Sequence, residues 1–426
     1  MDEGPCAGDG GVAITWSVAV IGAGTAGTAT ALFLGAAGHD VTLYEKVPQP
    51  GPVGAGIVLQ PTGQAVLARL RLLDRIVARG GRIDRLLART AGGRVLVDLQ
   101  YQPQLPDAFG LGVHRGLLFS VLYAEAVTHP KVTVRTGVDV RELVEGDDER
   151  MYLRDEHGKR IGPHDLVVVA DGSRSALRRH APGVVDVRPY EWGALWTIVP
   201  DPGATYTDAA ELFQVVEGTE RMLGMLPCGL GPEGQGSTPL VTVYWSLRGD
   251  DIDAFRRRGL ADFREQVLRY DPRAEPVLAH ITDVEQMLWA DYRHVVLTPC
   301  HGSRVVFIGD AAHAMSPQLG QGTNLALCDA AVLSDALSVE RSIEASLFAF
   351  ARARRRHVGY YQWATRMLTP FFQSDVVALG WLRDAFMPVF GRVPWFWRRM
   401  CASMVGNQTG VLSAPVPVPR LVTGPS

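Results

Sequence analysis

Short apolar runs that end on glycine or on a carboxylate punctuate this chain, with longer stretches of helical period between them. Residues 16–21 are apolar and rich in β-branched side chains, which predicts a buried strand. Residues 26–37 are Ala- and Leu-rich and stop at Gly38, which predicts a helix. A second strand is expected at 41–45. This strand, glycine turn, helix and strand fill about 30 residues, as a dinucleotide-binding βαβ unit does. Residues 48–56 form a Pro/Gly-rich loop, Thr62 can cap a helix over 62–70, and a shorter amphipathic helix runs to 78. Strand-like alternation follows at 82–99, a helix at 117–127, and three short strands at 131–154. Buried-strand runs return at 165–170, ending at Asp171-Gly172, and at 304–308, running into Gly309-Asp310. Between them, 190–247 is β-rich and aromatic, with Pro/Gly hairpin turns expected at 200–203 and 228–236, and 260–270 is helical. Helices dominate to about residue 406, and the tail from Ser413 is Pro-rich and expected to be loose.

Composition narrows the class. The chain has 426 residues, 47% of them hydrophobic and 20% charged, which fits a folded protein of two or three domains. Forty-two Lys+Arg against 45 Asp+Glu leave a formal charge of -3, with no basic footprint for nucleic acid or an anionic membrane. Five cysteines without a C-x-x-C pair argue against a disulfide framework or a structural zinc site, and read as buried small hydrophobes. The uncharged stretch 10–38 is not expected to span a membrane, because five glycines from Gly22 onward and several threonines interrupt it. The acidic start, Met1-Asp2-Glu3, does not suit a signal peptide, so a cytoplasmic protein is expected. Glycine stands at 46 residues, about 11% against an average near 7%, which suits tight turns and close approach of backbone to a ligand.

In so glycine-rich a chain a bare G-x-G-x-x-G carries little weight. One match, Gly229-Leu-Gly231-Pro-Glu-Gly234, joins two strand-like runs and contains a proline, so it reads as a hairpin loop. The other, Gly22-Ala-Gly24-Thr-Ala-Gly27, has a strand before it and a helix after it. Its glycines allow the turn, the approach of a pyrophosphate, and helix–sheet packing. Glu45 ends the next strand, where a carboxylate can accept the ribose hydroxyls of an adenosine. Asp171 and Asp310 each sit at the carboxyl end of a buried strand and can hold a polyol hydroxyl. Beyond Asp310 come His313, Pro317, Gly320-Gln321-Gly322 and Asn324, a glycine-rich helix start with unpaired N–H groups for an electron-rich ligand edge.

Taken in order, these three motifs resemble the single-component (group A) FAD-dependent aromatic monooxygenases, the para-hydroxybenzoate hydroxylase type, over residues 16–360. The resemblance implies an α/β fold: a Rossmann-like FAD-binding domain with an inserted β-rich substrate domain and C-terminal helices. The expected division gives 12–90, 110–183 and 285–360 to FAD, 91–109 and 184–284 to substrate, and 361–412 to a helical segment, with flexible ends at 1–11 and 413–426. Gly22, Gly24, Gly27, Glu45 and Lys46 would hold the ADP half of non-covalent FAD, and Arg115 its phosphate or ribityl side. Asp171 and Gly172 would lie between FAD and a transient NADH or NADPH, and Gly309 and Asp310 would hold the ribityl chain. Pro317, Gly320, Gln321 and Gly322 would form the flavin-edge loop, with Asn324 also on the cofactor; no acid–base residue is assigned. The family's flavin, once reduced, reacts with O₂ to a C4a-hydroperoxide that hydroxylates an aromatic compound. Phenolic, indolic or polycyclic substrates of secondary metabolism are expected, under a roof that includes Trp196, Phe213, Met225 and Tyr244. Strand alternation must turn half of that segment's aromatic residues away from the pocket.

Other outcomes stay open on the same scaffold: a flavin oxidase, a dehydrogenase, a Baeyer–Villiger enzyme or a non-catalytic FAD-binding module. Halogenation is disfavoured, because Trp192-Gly-Ala-Leu-Trp196-Thr-Ile198-Val-Pro200 departs from the halogenase pattern W-x-W-x-I-P and no lysine lies between Lys46 and Lys131. His313 reads as part of its turn. The stretch 371–404, with Trp381, Trp395, Phe396 and Trp397 beside Arg398 and Arg399, reads as a helical cap, because Pro388 and Pro394 break any long amphipathic face. Membrane and nucleic-acid contact are not expected, and a monomer or homodimer is. With no second nicotinamide-binding βαβ unit after Glu45, the reductant is expected to visit near Asp171 and Gly172.

Overall fold

The computed structural model describes residues 14–102, 105–234 and 236–423. Its centre is a five-stranded parallel sheet in the order Val305–Phe307, Leu166–Val169, Ser17–Ile21, Asp40–Glu45 and Val132–Thr136. Residues of one parity, such as Val18, Val20, Leu166 and Val168, face the helices Thr25–Ala36, Arg115–Thr128 and Gly322–Val339. The other parity, with Ala19, Ile21, Val167 and Val169, faces a three-stranded antiparallel sheet of Val140–Glu145, Met151–Asp155 and Arg160–His164. Burial on both faces is why these strands read as unbroken apolar runs. The strand Arg160–His164 carries no such run, and Gly56–Leu59 and Gly110–His114 pair in a small sheet with Gly81–Ile83.

A seven-stranded sheet stands beside this unit in the order Leu288–Thr298, Val184–Pro200, Leu240–Arg248, Arg221–Gly229, Glu211–Glu217, Arg85–Thr90 and Val95–Gln100. The expected division therefore shifts at two places. Arg85–Thr90 and Leu288–Thr298 belong to this sheet, because each finds its backbone partners there, in Glu211–Glu217 and Val184–Pro200. Nor do residues 200–203 make a hairpin turn: Val184–Pro200 pairs with Leu240–Arg248, and the chain leaves it through the short helix Thr205–Ala209. One face of the sheet packs on Ile252–Arg258 and Leu260–Tyr270, where Trp245 meets Phe263 edge-on at 5.4 Å and stacks on Tyr270 at 6.0 Å. The helices Ile343–Phe372, Val377–Phe390 and Pro394–Val405 then cross between the two sheets. The expected loose end at 413–426 is only partly so. Val418–Leu421 forms a short helix whose Val418 and Leu421 are buried along with Val422, and Arg69 donates to the Val422 carbonyl. Residues 1–11 lie outside the described part.

A buried charge network joins these elements. Asp329, 1% exposed, accepts from His313 Nε2 at 2.6 Å, Arg354 Nε at 2.7 Å and the Gly309 N–H at 2.9 Å. Arg354 also donates to His357 Nδ1 at 2.7 Å, so that imidazole is neutral and gives its Nε2–H to the Gly406 carbonyl at 2.7 Å. His313 is accordingly a member of the turn, as its sequence setting suggests. Burial alone would raise the Asp329 carboxyl, but His313 and Arg354 outweigh it and hold it well below the usual range. Burial, with the Arg354 charge beside it, pushes His357 down to about 3. Both groups bind protons more readily when unfolded, so their contribution is present above the unfolded pKa values and lost on acidification.

Asp329→Ala should lower the unfolding free energy by about 3–5 kcal/mol, as when one member of a buried ion pair is orphaned; chemical denaturation measures it, and a loss under about 1 kcal/mol would contradict the network's role. The melting temperature should fall as pH drops below about 6.5, with a further loss below about 4. His357→Gln should make the first part of that decline shallower; an unaltered profile would remove His357 from it.

Candidate active site

The ends of three parallel strands and the open face of the seven-stranded sheet bound one cavity of about 1330 Å³. That exceeds the roughly 300–1,000 Å³ of an ordinary small-molecule pocket, and suits a dinucleotide plus a second ligand. At one end lie Gly22, Gly24, Glu45, Lys46 and Arg115. The Glu45 carboxylate accepts from the Ala23 N–H at 2.8 Å and the Val47 N–H at 2.9 Å, which fixes it beside the glycine turn. Gly22 has φ +100°, and a Cβ on it would fall 2.6 Å from the Ala170 carbonyl oxygen. A Cβ on Gly27 would fall 1.9 Å from the Gly22 carbonyl oxygen. Gly27 thus serves the packing of helix on turn and does not itself line the cavity.

The two acidic turns meet in the middle of the cavity. Asp171 Oδ1 is buried without a hydrogen-bond partner, and burial raises its carboxyl. Asp310 is exposed to the cavity, with Oδ1 3.9 Å from where a Cβ on Gly322 would lie. Arg178 fastens the turns together, donating to the carbonyls of Gly172 at 2.9 Å, Asp310 at 3.0 Å and Ala311 at 2.6 Å. Sequence reasoning missed this residue: three basic residues stand in a row at 178–180, and nothing in their spacing singles one out. Gly172 lines the cavity, whereas Gly309 lies behind Asp310 and gives its N–H to Asp329.

Pro317, Gly320, Gln321 and Gly322 line the next part of the wall. The Gln321 side chain turns away to the C-terminal helix, donating to the carbonyls of Ser403 at 3.1 Å and Met404 at 2.9 Å. Asn324 departs from expectation. It does not line the cavity, because its amide is used in bonds to the Gln60 N–H and the carbonyls of Val58 and Gly320.

Of the four roof residues, Trp196 and Tyr244 line the cavity and Phe213 and Met225 do not. Phe213 and Met225 pair directly across adjacent strands and lie, 3% and 0% exposed, in the core on the opposite face. Their neighbours Leu212, Gln214, Gly224 and Leu226 take the cavity face, as the two-residue period requires. Arg221 and Arg248 are occupied elsewhere by Glu217 and by Glu191, Asp250 and Asp375.

The far wall is helical and apolar, with Phe371, Phe386, Met387, Phe390 and Phe396 among its side chains. The expected cap is therefore also a cavity wall. Its outer face stays open at Trp381, 72% exposed, and the wall itself is not sealed, with Phe386 51% and Trp395 45% exposed. Among the described residues no helix is long and apolar enough to cross a membrane, and no group of three or more His, Cys, Asp or Glu could hold a metal ion.

A flavin dinucleotide fits this donor set. A fixed carboxylate beside a glycine turn, a carboxylate at Asp310 exposed to the cavity and a long, largely apolar cleft suit its ribose, ribityl and ring portions, and a buried Asp171 oxygen stands unpartnered between the two turns. A family model described as an FAD binding domain matches residues 15–359. The 2-heptyl-3-hydroxy-4(1H)-quinolone synthase of Pseudomonas aeruginosa is 28% identical over 385 residues, covering 87% of this chain and 93% of its own. The kynurenine 3-monooxygenase of Salinispora arenicola is 30% identical over 376 residues, covering 80% and 76%. The crystal structure of Klebsiella pneumoniae HpxO complexed with FAD and uric acid superimposes with a TM-score of 0.75 at 22% identity, covering 93% of this chain and 98% of that one. The chain belongs to the FAD-dependent aromatic monooxygenases of the para-hydroxybenzoate hydroxylase type.

Proposed function

We propose that this enzyme hydroxylates an apolar aromatic small molecule held between the open face of the seven-stranded sheet and the C-terminal helices. The observation that carries the reading is one continuous cavity, lined by the carboxylates of Glu45, Asp171 and Asp310 along the strand ends, with an aromatic, largely uncharged chamber beyond them. Bound FAD, reduced by NADH or NADPH, supplies the activation of O₂ for transfer of one oxygen atom to substrate.

The chain's own residues bind, orient and exclude water. In this reading Glu45 accepts the adenosine ribose hydroxyls, because one of its oxygens is held at the glycine turn by the Ala23 N–H and the other by the Val47 N–H. Arg115 and Lys46 offset pyrophosphate charge. Asp310 accepts from the ribityl hydroxyls, and Arg178 and Asp329 keep its turn in place. Asp171 and Gly172 form the place where the nicotinamide approaches. The backbone N–H groups that open the helix Gly322–Val339 stabilise negative charge at the flavin edge, since a helix start leaves them unpaired. Trp196 and Tyr244 cover the substrate; burial raises the Tyr244 phenol, and its hydroxyl is spent on the Gly56 carbonyl, so the ring presents mainly apolar surface. The names of the relatives, a quinolone synthase and a kynurenine monooxygenase among them, agree with a one-ring or two-ring aromatic substrate.

Asp310→Ala should weaken FAD retention about tenfold or more, the scale of one lost charge-assisted hydrogen bond, and by more than Asp171→Ala does. Flavin release on dialysis measures both; equal retention in Asp310→Ala and the unsubstituted enzyme would overturn the ribityl role. A product screen against aromatic candidates with NAD(P)H under ¹⁸O₂ should yield a product heavier by one labelled oxygen. Unlabelled product with H₂O₂ release would point to an oxidase. The true substrate should also accelerate anaerobic flavin reduction by at least about tenfold, or 1.4 kcal/mol of differential stabilisation. Stopped-flow bleaching with and without it gives the ratio, and equal rates would exclude substrate gating.

A further inference from the structure

The apolar chamber contains a polar island that the β-rich roof does not supply. Two arginines of the C-terminal helices reach the cavity wall, Arg383 and Arg399. Arg383 is consumed, bonding to Asp384 and to the carbonyls of Gly218 and Phe371. Arg399 is not. Its Nη2 donates to the Leu412 carbonyl at 3.3 Å and its guanidinium sits over Trp395 at 5.3 Å, but Nη1 is buried without any partner. A buried guanidinium nitrogen with no acceptor is costly unless something arrives to accept from it.

Two neighbours complete the arrangement. Ser403 Oγ donates to the Arg399 carbonyl at 2.8 Å, so the Tyr360 hydroxyl, 2.6 Å from Ser403 Oγ, is left to donate to it. The Tyr360 oxygen, also on the cavity wall, then keeps a lone pair free. Burial raises the Tyr360 phenol while the Arg399 charge opposes the rise, which places the guanidinium near that hydroxyl. Position along the helix adds direction. Ser403 and Met404 hold Gln321 through their carbonyls, and Arg399 lies four residues before Ser403, about 6 Å along the axis. Arg399 thus stands about one helical turn from the residues that hold the loop 317–322, and Phe390, Phe396 and Met400 line the same cavity.

We propose that Arg399, with Tyr360 beside it, is the substrate-orienting anchor of this enzyme, and that it selects extended apolar aromatic compounds bearing a carbonyl or phenolate oxygen. The oxygen accepts from the Arg399 guanidinium, the rings face the 317–322 loop, and an alkyl chain or further rings occupy the phenylalanine-lined wall. This assignment rests on the monooxygenase reading of the same cavity. It disfavours small hydrophilic acids, for which the chamber offers one cation and a wide apolar surface to desolvate.

The test uses the FAD-loaded enzyme and calorimetric titration with four probes: 4-quinolones carrying a 2-methyl or a 2-heptyl chain, and the matching quinolines that lack the oxygen. The unsubstituted enzyme should prefer the heptyl quinolone over its deoxy partner by at least about tenfold, or 1.4 kcal/mol, and should bind heptyl more tightly than methyl. Arg399→Gln should abolish the preference for oxygen while FAD content and affinity for the deoxy compound stay as they were; Arg399→Lys should restore part of it. If Arg399→Gln fails to hold FAD, Arg399→Met serves in its place. An equal preference in the variant and the unsubstituted enzyme, indifference to chain length, or no binding by any probe overturns the proposal. An enzyme that discriminates as expected but yields no oxygenated product would overturn the hydroxylase reading and leave the anchor standing.

Discussion

A carboxylate with almost no access to water must be neutralised on several sides at once, and Asp329 meets that demand by drawing together parts of the chain remote from one another. Its partners are the backbone of the Gly309 turn, the imidazole that ends the same turn, and an arginine from the 30-residue helix that follows. Through Arg354 and His357 the constraint reaches Gly406, where the last long helix ends. The turn carrying Asp310 cannot drift without breaking charge-assisted bonds in a dry interior, where each is worth more than at the surface. Arg178 does for the front of the turn what Asp329 does for its back, closing Asp310 against Gly172 through main-chain carbonyls. Two buried ionic centres thus set the spacing of the two acidic turns, and with it the width of the cleft between them.

What could be read in the sequence was what depends on neighbours along the chain. The doubly buried strands announce themselves as apolar runs, and the glycine turn at 22–27 owes its geometry to residues within one unit. Glu45, Asp171 and Asp310 were legible because a strand end fixes where a carboxylate points. Legibility failed where the answer depended on long-range pairing. Phe213 and Met225 look as suited to a pocket as Trp196 and Tyr244, and only the register with their partner strands decides which face each takes. Arg85–Thr90 joins the seven-stranded sheet by pairing in parallel with a strand more than a hundred residues later. Asn324 sat in the expected loop but spends its amide on residues near 60. Arg178 and Arg399 were hidden for a further reason: among so many arginines, only three-dimensional bookkeeping of acceptors separates a structural or orienting guanidinium from a solvated one.

The loop around 317–322 meets the C-terminal helices through two side-chain pairs, Ser316 with Thr369 and Gln318 with Gln373, and otherwise through main-chain oxygen. Gln321 grips the carbonyls of residues 403 and 404, and His357 grips that of 406. A carbonyl is present whatever side chain its residue carries. The last long helix can therefore exchange cavity-facing side chains without loosening the loop 317–322, so long as it keeps its backbone course. New chemistries of recognition can be written into the cavity-facing positions of residues 394–405, while the buried bonds of Asp329, Arg354 and His357 stay as they are.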